Sequence, residues 1–539
     1  MIQGRRLLYL SLIVVFVLAF AVRLYPLVWS PYPYNIDGLA EARMAEDIAA
    51  SGHLTLPDGS SYWDSYIPDM PVLNLLLATF SELVGISPLH ASQIFVALLG
   101  ATSCLFAAIF VHRISGNLRA GAFAGVFLAL LGTYVFCTTS VWKEALGLTL
   151  MIAIFTLYLE RSDLRIRAVM TLALLLMVFV HHHSAVLTFM IFSFAIASEA
   201  YRDRRSDQLT WRNYADIGTA LAAWFLAAAY YYGIDLPYYQ FLSPEQDLYL
   251  FVAVSAAMFM LLLVAMSSPS RSRERPYLKL VVPAVAASVL LVNYVRPIFP
   301  GVPATEGAIL LFSAAYLILI VPVWSSYERL SGSNAAWKPL ALSLLLAPLT
   351  MMLFAFLRGL DLMSYTIAYR SFDFLDLGLA ALFGMGAAII VRAGFRRSIA
   401  VSMAFMLLLV STTSIAFQTE SLFSVQNQTF EYEVDLLESL RSLSADKTLD
   451  SDQKIGTISR SLFNFSGETD LALRVDTGEP TDEFQWLVLK STWTERGAQQ
   501  FPFGQLVISE DIFDSFLGEN DVVALAGPVS DQMIVVSNP

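Results

Sequence analysis

Through residues 1–418 the chain alternates long apolar runs with short polar segments. Runs of about 17–25 apolar residues are the length that crosses a bilayer as a helix. They predict thirteen spans, near 7–29, 89–112, 119–139, 144–160, 166–182, 184–200, 213–232, 247–267, 278–296, 307–325, 338–357, 373–391 and 398–417. Pro71 to Ile86 is shorter and contains Asn74 and Glu82, so it reads as a surface helix within a long loop, 30–88. Gly38 to Ser51 is a second, amphipathic helix in that loop. After 418 the pattern changes. Val434, Leu437, Leu440 and Leu443 recur at helical spacing, and Gln485–Leu489, Gln505–Ile508, Val522–Ala526 and Met533–Val536 read as strands. The predicted fold is a polytopic all-α membrane domain, 1–418, followed by a small α/β domain, 419–539.

The basic residues orient this arrangement. With the N-terminus cytoplasmic, the inner segments carry 20 of the 26 Lys and Arg that precede residue 419, the bias expected of cytoplasmic loops. Loop 30–88 and the C-terminal domain then lie outside a plasma membrane. Arg5-Arg6 and Ala19-Phe20-Ala21 have the form of a secretory signal, but the apolar run continues to Trp29 and reads as a first span.

Composition agrees. Hydrophobic residues make up 57% and charged residues 14% of the 539, against roughly 25% charged in soluble domains. Residues 419–539 hold 7 Lys and Arg against 21 Asp and Glu, a balance that argues against nucleic acid as a partner. Cys104 and Cys137 both lie in apolar segments and make no disulfide framework. Asn427-Gln428-Thr429 and Asn464-Phe465-Ser466 are N-glycosylation sequons, both on the outer side.

Candidate chemistry gathers at the outer ends of the predicted spans. Asp37 follows Pro31-Tyr32-Pro33-Tyr34 at the membrane interface; a helix N-cap is its plain alternative. Lys143-Glu144 opens the fourth span and could serve as an acid/base or metal-plus-phosphate unit, or simply as an acidic first turn. Arg296 stands in a rigid, proline-rich outer loop that ends at Glu306. Arg370 stands at an outer mouth, where its forked donors suit a phosphate. His181-His182-His183 lack the i, i+4 spacing of a tight metal site, and one of them touching substrate is the better reading. The span cores are nearly free of charge, unlike an ion-coupled transporter.

At these residues the chain resembles the GT-C membrane glycosyltransferases, most closely the archaeal oligosaccharyltransferase catalytic subunit. Asp37-Gly38-Leu39-Ala40-Glu41-Ala42-Arg43 is similar to the family's first-loop aspartate and helix, and Tyr66-Ile67-Pro68-Asp69-Met70-Pro71 to its proline-rich stretch. Glu144 falls at the second acidic motif, here beside Lys143, and Thr305-Glu306 at the fifth-loop motif. Arg370 falls at the phosphate-binding arginine, and His181–His183 near the donor site. The C-terminal domain has no Trp-Trp-Asp-Tyr-Gly motif; Trp486 and Trp493 stand singly. The resemblance implies transfer of a sugar or oligosaccharide from a polyprenyl or dolichyl (di)phosphate carrier to a protein or glycan acceptor on the outer face, as in protein glycosylation. It implies Asp37 and Glu144 as catalytic residues and Arg370, Lys143, Arg296, His182, His183 and Glu306 as substrate or phosphate contacts. It also implies Mg2+ or Mn2+ on Asp37, Glu144 and Glu306. The alternatives are a lipid-carrier flippase or transporter and a non-catalytic homologue acting as a subunit.

Overall fold

A backbone in hydrocarbon must satisfy its own polar groups, so apolar runs fold as helices. The computed structural model describes residues 2–54, 69–234, 245–267, 278–298, 307–331, 335–359, 361–391, 395–417, 426–443, 448–481, 483–500 and 504–537. Tyr66 to Pro68, Thr305 and Glu306, and the inner-segment residues Arg271, Arg273, Arg275 and Arg392 lie outside them. The first sixteen helices are α1 (Ile2–Arg23), α2 (Asp37–Ser51), α3 (Val72–Val84), α4 (Pro88–Ser115), α5 (Leu118–Leu130), α6 (Gly132–Thr139), α7 (Lys143–Tyr158) and α8 (Leu164–Leu176), then α9 (His182–Arg205), α10 (Trp211–Gly233), α11 (Glu245–Ser267), α12 (Leu278–Val295), α13 (Gly307–Ser331), α14 (Lys338–Arg358), α15 (Leu362–Ile390) and α16 (Phe395–Thr413).

A helix or bent pair stands at each of the thirteen predicted spans. Fewer are long and apolar enough to cross a membrane. Among the described residues six qualify, from α1, α4, α9, α11, α14 and α15, and the α5–α6 pair makes a seventh. Several predicted boundaries shift, and two of the differences bear on the site. The span placed at 119–139 is broken at Leu131, where α5 and α6 meet at 65°. The span placed from 373 begins at Leu362, capped by Asp361, whose side chain accepts from the Ser364 N–H. Arg370 therefore lies inside a helix rather than at its mouth.

The α5–α6 break frees backbone groups, and side chains take them up. Arg23 is fully buried and donates to the carbonyls of Leu128 and Ala129 at 3.2 and 3.4 Å and to Thr138 at 2.8 Å. Thr413 donates to the Leu130 carbonyl at 2.5 Å, and Thr412 accepts from the Gly132 N–H at 3.2 Å. The turned helix α6 carries Thr133 and Cys137 and leads into the corner Ser140-Val141-Trp142.

The C-terminal domain holds α17 (Glu431–Leu443), β1 (Leu449–Asp450), α18 (Gln453–Phe463), α19 (Leu471–Thr477), β2 (Trp486–Lys490), β3 (Ala498–Gln500), β4 (Gly504–Leu506), α20 (Glu510–Glu519), β5 (Asp521–Ala526) and β6 (Met533–Ser537). The main sheet runs β1-β2-β6-β5, with β1 parallel to β2 and the other pairs antiparallel; β3 pairs with β4. Side chains alternate across a strand. Accordingly Val488, Met533 and Val535 pack with Leu437, Ile455 and Ile458 of α17 and α18. Leu487, Leu489, Ile534 and Val536 pack the other way, against Leu471 and Phe513 of α19 and α20. The four predicted strands and α17 stand within a residue or two of expectation. The first layer also takes in Leu39 of α2, so the domain is seated directly on the helix that Asp37 opens.

Candidate active site

Asp37 is placed by the loop before it. Tyr34 donates its N–H to Gln93 at 2.9 Å, and its carbonyl accepts the Val141 N–H at 3.0 Å. Asn35 then takes a left-handed backbone, φ 83°, a conformation that asparagine tolerates better than most residues. Its side-chain oxygen accepts the Asp37 N–H at 2.9 Å, while its own N–H donates to the Asn427 carbonyl at 2.8 Å. Asn35 thus does the capping work the sequence offered to Asp37. Gly38 follows because nothing larger fits: a Cβ there would lie 2.7 Å from that of Val141.

Arg370, on α15, lies near enough that its positive charge opposes the upward push that burial gives the Asp37 carboxyl. The guanidinium lies 5.6 Å from the centre of the Trp142 ring, and its Nε donates to the Tyr369 hydroxyl at 3.2 Å. An arginine held by an aromatic face keeps its planar fork oriented.

Glu144, in the first turn of α7, is buried, and among the described residues no donor reaches either of its carboxylate oxygens. Its carboxylate, that of Asp373 and the Cys137 thiol bring ligand atoms within 4.8 Å of one another. Asp373 lies one helical turn beyond Arg370, and Asp376 a further turn on, accepting from Thr133 at 2.7 Å. These two carboxylates correct the expectation of span cores nearly free of charge. A cavity of about 260 Å3 lies beside them, lined by Thr133, Phe136, Phe356, Tyr365, Tyr369 and Asp373 among others.

The remaining predicted residues fall in different places. Lys143 is buried and ion-paired with Glu41 at 3.6 Å, and Glu41 also accepts from Asn74 at 2.7 Å. This ion pair ties α7 to α2. Burial raises the Glu41 carboxyl, and Lys143 pulls it back. His181 caps α9, with Nδ1 2.8 Å from the Ser184 hydroxyl. His182 is buried with its ring 4.7 Å from that of His181. His183 comes 3.3 Å from the hydroxyl of Ser371, the neighbour of Arg370, so it borders the cluster. Arg296 is exposed past the end of α12, and among the described residues nothing links it to the cluster. Glu306 lies outside the described residues.

Both sequons are placed. Asn464 is exposed at the end of α18. Asn427 is 2% exposed and accepts from the Asn35 side chain at 3.2 Å, so the folded chain does not present it as a glycan acceptor. Trp493 is a core residue whose indole donates to Asp452 at 3.1 Å.

Cys137, Asp373, Asp376, Glu41 and Asn35 are site residues that the sequence reading missed. For Asp373 a signal was present: three residues after Arg370, it had to share a face with it once both were placed on one helix. Cys137 gave no signal, because only the bend at Leu131 turns it inward.

Mg2+ and Mn2+ favour all-oxygen sites; of the set Asp37, Glu144 and Glu306, Glu306 lies outside the described residues, and among the described ones Glu144 is grouped with Asp373 and the Cys137 thiol.

No protein-family model matches the sequence, and no curated protein matches it. Solved structures do. The Archaeoglobus fulgidus oligosaccharyltransferase in the apo form is 11% identical with a TM-score of 0.55, over 90% of this chain and 70% of that one. The same archaeal enzyme, AglB, in complex with an inhibitory peptide and a dolichol-phosphate matches at 11% identity and a TM-score of 0.54, over 89% and 69% of the two chains. Its complex with Zn and sulfate matches at 11% and 0.53, over 90% and 68%. Over nine-tenths of its length the chain has the fold seen in the Archaeoglobus fulgidus oligosaccharyltransferase.

Proposed function

We propose that this protein moves a sugar or oligosaccharide from a polyprenyl or dolichyl (di)phosphate to an acceptor on the outer face of the cell membrane. The observation that carries the reading is the Asp37 carboxyl held within the field of the Arg370 guanidinium, on the helix against which the C-terminal domain packs. A carboxylate raised by burial is a better proton acceptor near neutrality. The acceptor's nucleophile bonds to the anomeric carbon while the carbon–oxygen bond to the carrier phosphate breaks. Asp37 takes the acceptor's proton, and the electron pair leaves with the phosphate oxygen, against Arg370. The apolar cavity beside Tyr365 and Tyr369 suits the isoprenoid chain of the donor.

Asp37→Asn keeps the shape and removes the base, so transfer from a lipid-linked donor should fall about 10^2- to 10^4-fold. Wild-type turnover in that variant sinks the assignment. One observation favours a flippase instead: Asp373 and Asp376 lie within a span, where ionisable groups often mark transport routes. A flippase would move labelled carrier across vesicles without acceptor and would tolerate Asp37→Asn.

A further inference from the structure

We infer that Cys137, Glu144 and Asp373 form a buried zinc site, a centre different in ligands from the Asp37–Glu144–Glu306 set implied by resemblance. Three observations converge on it. The three side chains come from separate elements, α6, α7 and α15, and their ligand atoms lie within 4.8 Å of one another. All three belong to buried positions. Among the described residues, Glu144 has no hydrogen-bond donor on either oxygen, although it is 1% exposed. A carboxylate removed from water and left without donors is among the most costly groups to bury. A cation or a proton must compensate it.

The charge count favours a divalent ion. Asp37, Glu144 and Asp373 all sit in the field of one guanidinium, that of Arg370. With the thiolate that a bound zinc would take from Cys137, the ionised groups carry four negative charges against the single positive charge of Arg370, a deficit of three that a divalent ion narrows to one. Lys143 does not fill it, because it is committed to Glu41. The donor set then selects the metal. A thiolate with two carboxylates suits zinc, which accepts sulfur and oxygen together, and suits Mg2+ poorly. Ligand atoms around a tetrahedral zinc are about 3.5 Å apart, so small rotations of these side chains close the site. Three protein ligands leave a fourth position for water.

The second-best account of the same geometry is a proton shared between Glu144 and Asp373, with the thiol donating to Asp373. The two accounts differ in metal content, which makes them separable without any activity assay, so the result does not depend on the transfer reaction. The full-length protein in detergent is stripped with a chelator and reloaded with Zn2+ or Co2+ alone. Wild type should bind one ion per chain, and the cobalt form should show thiolate-to-cobalt charge-transfer absorption. Cys137→Ser should lose that absorption, and both it and Asp373→Asn should bind zinc at least tenfold more weakly. Zinc should also shield Cys137 from a small neutral alkylating reagent in the unmutated protein, a readout that does not depend on how the variants fold. The inference is overturned if wild type binds neither ion. It is equally overturned if cobalt binds without the charge-transfer band, or if zinc binding survives both substitutions and is lost in Asp37→Asn.

Discussion

At the scale of the residue, the strongest consequence concerns protonation. Burial raises the Asp37 carboxyl above its ordinary range, and Arg370 lowers it. A base must be ionised, so activity should fail on acidification at a higher pH than an exposed carboxylate would allow. Arg370→Met removes the favourable charge, favours the protonated acid and should move the acid limb of the residual rate further up. A pH profile of kcat/KM in both proteins checks this; an unmoved limb would separate the two residues. Asp37, Glu144 and Arg370 were legible in the sequence because each is a charge beside an apolar run. Cys137 and Asn35 were not, since neither stands out in its local pattern: one depends on a bend, the other on a turn.

At the scale of the element, the break between α5 and α6 decides where the site lies. The composition of 119–139 gave no hint of it, because the run is largely apolar and carries no proline. What makes a bend at Leu131 tolerable is distant in sequence: Arg23, Thr412 and Thr413 supply the partners that the helix gives up. Arg23→Met would leave the Leu128 and Ala129 carbonyls bare inside the bundle. At about 1–3 kcal/mol per orphaned group, the variant should lose about 2–6 kcal/mol in stability and much of its activity, with a lower melting temperature in detergent. A variant as stable as wild type would mean that α5 and α6 do not need Arg23. Helix boundaries explain the other misplacement. The stretch 362–372 mixes Ser, Thr, Tyr and Arg into an otherwise apolar run, so hydropathy started the span eleven residues late, while the Asp361 cap was a start signal already in the sequence.

At the scale of the whole molecule, the two parts are joined through α2. The C-terminal domain rests on Leu39 and is fastened at Asn35. Its own interior is built around ions. Glu433 is buried between Lys454 at 2.6 Å and Lys490 at 2.8 Å, and Lys490 also pairs with Asp531. The two lysines hold the Glu433 carboxyl below its ordinary value. Its stabilising contribution is therefore complete above the unfolded value near 4.3 and is lost as pH falls through the lowered folded value. Glu433→Gln leaves two lysine charges facing an uncharged amide and should cost about 3–5 kcal/mol, measurable as earlier unfolding of the domain at neutral pH. An unchanged melting temperature would show that the cluster is not what holds this layer. The sheet strands were readable from alternation, but this ion cluster was not, because its members lie on α17, α18, β2 and the turn before β6.

The buried sequon has a consequence in time. Asn427 is accessible only until the domain closes over Asn35. A glycan attached while the chain is still emerging would sit as a wedge in the junction that positions Asp37. Wherever emerging chains meet a glycosylation machinery, folding would have to outrun modification at this one asparagine. A cell that glycosylates its emerging chains would set the yield of working protein by that race, while Asn464, at an open helix end, could be modified at any moment without penalty.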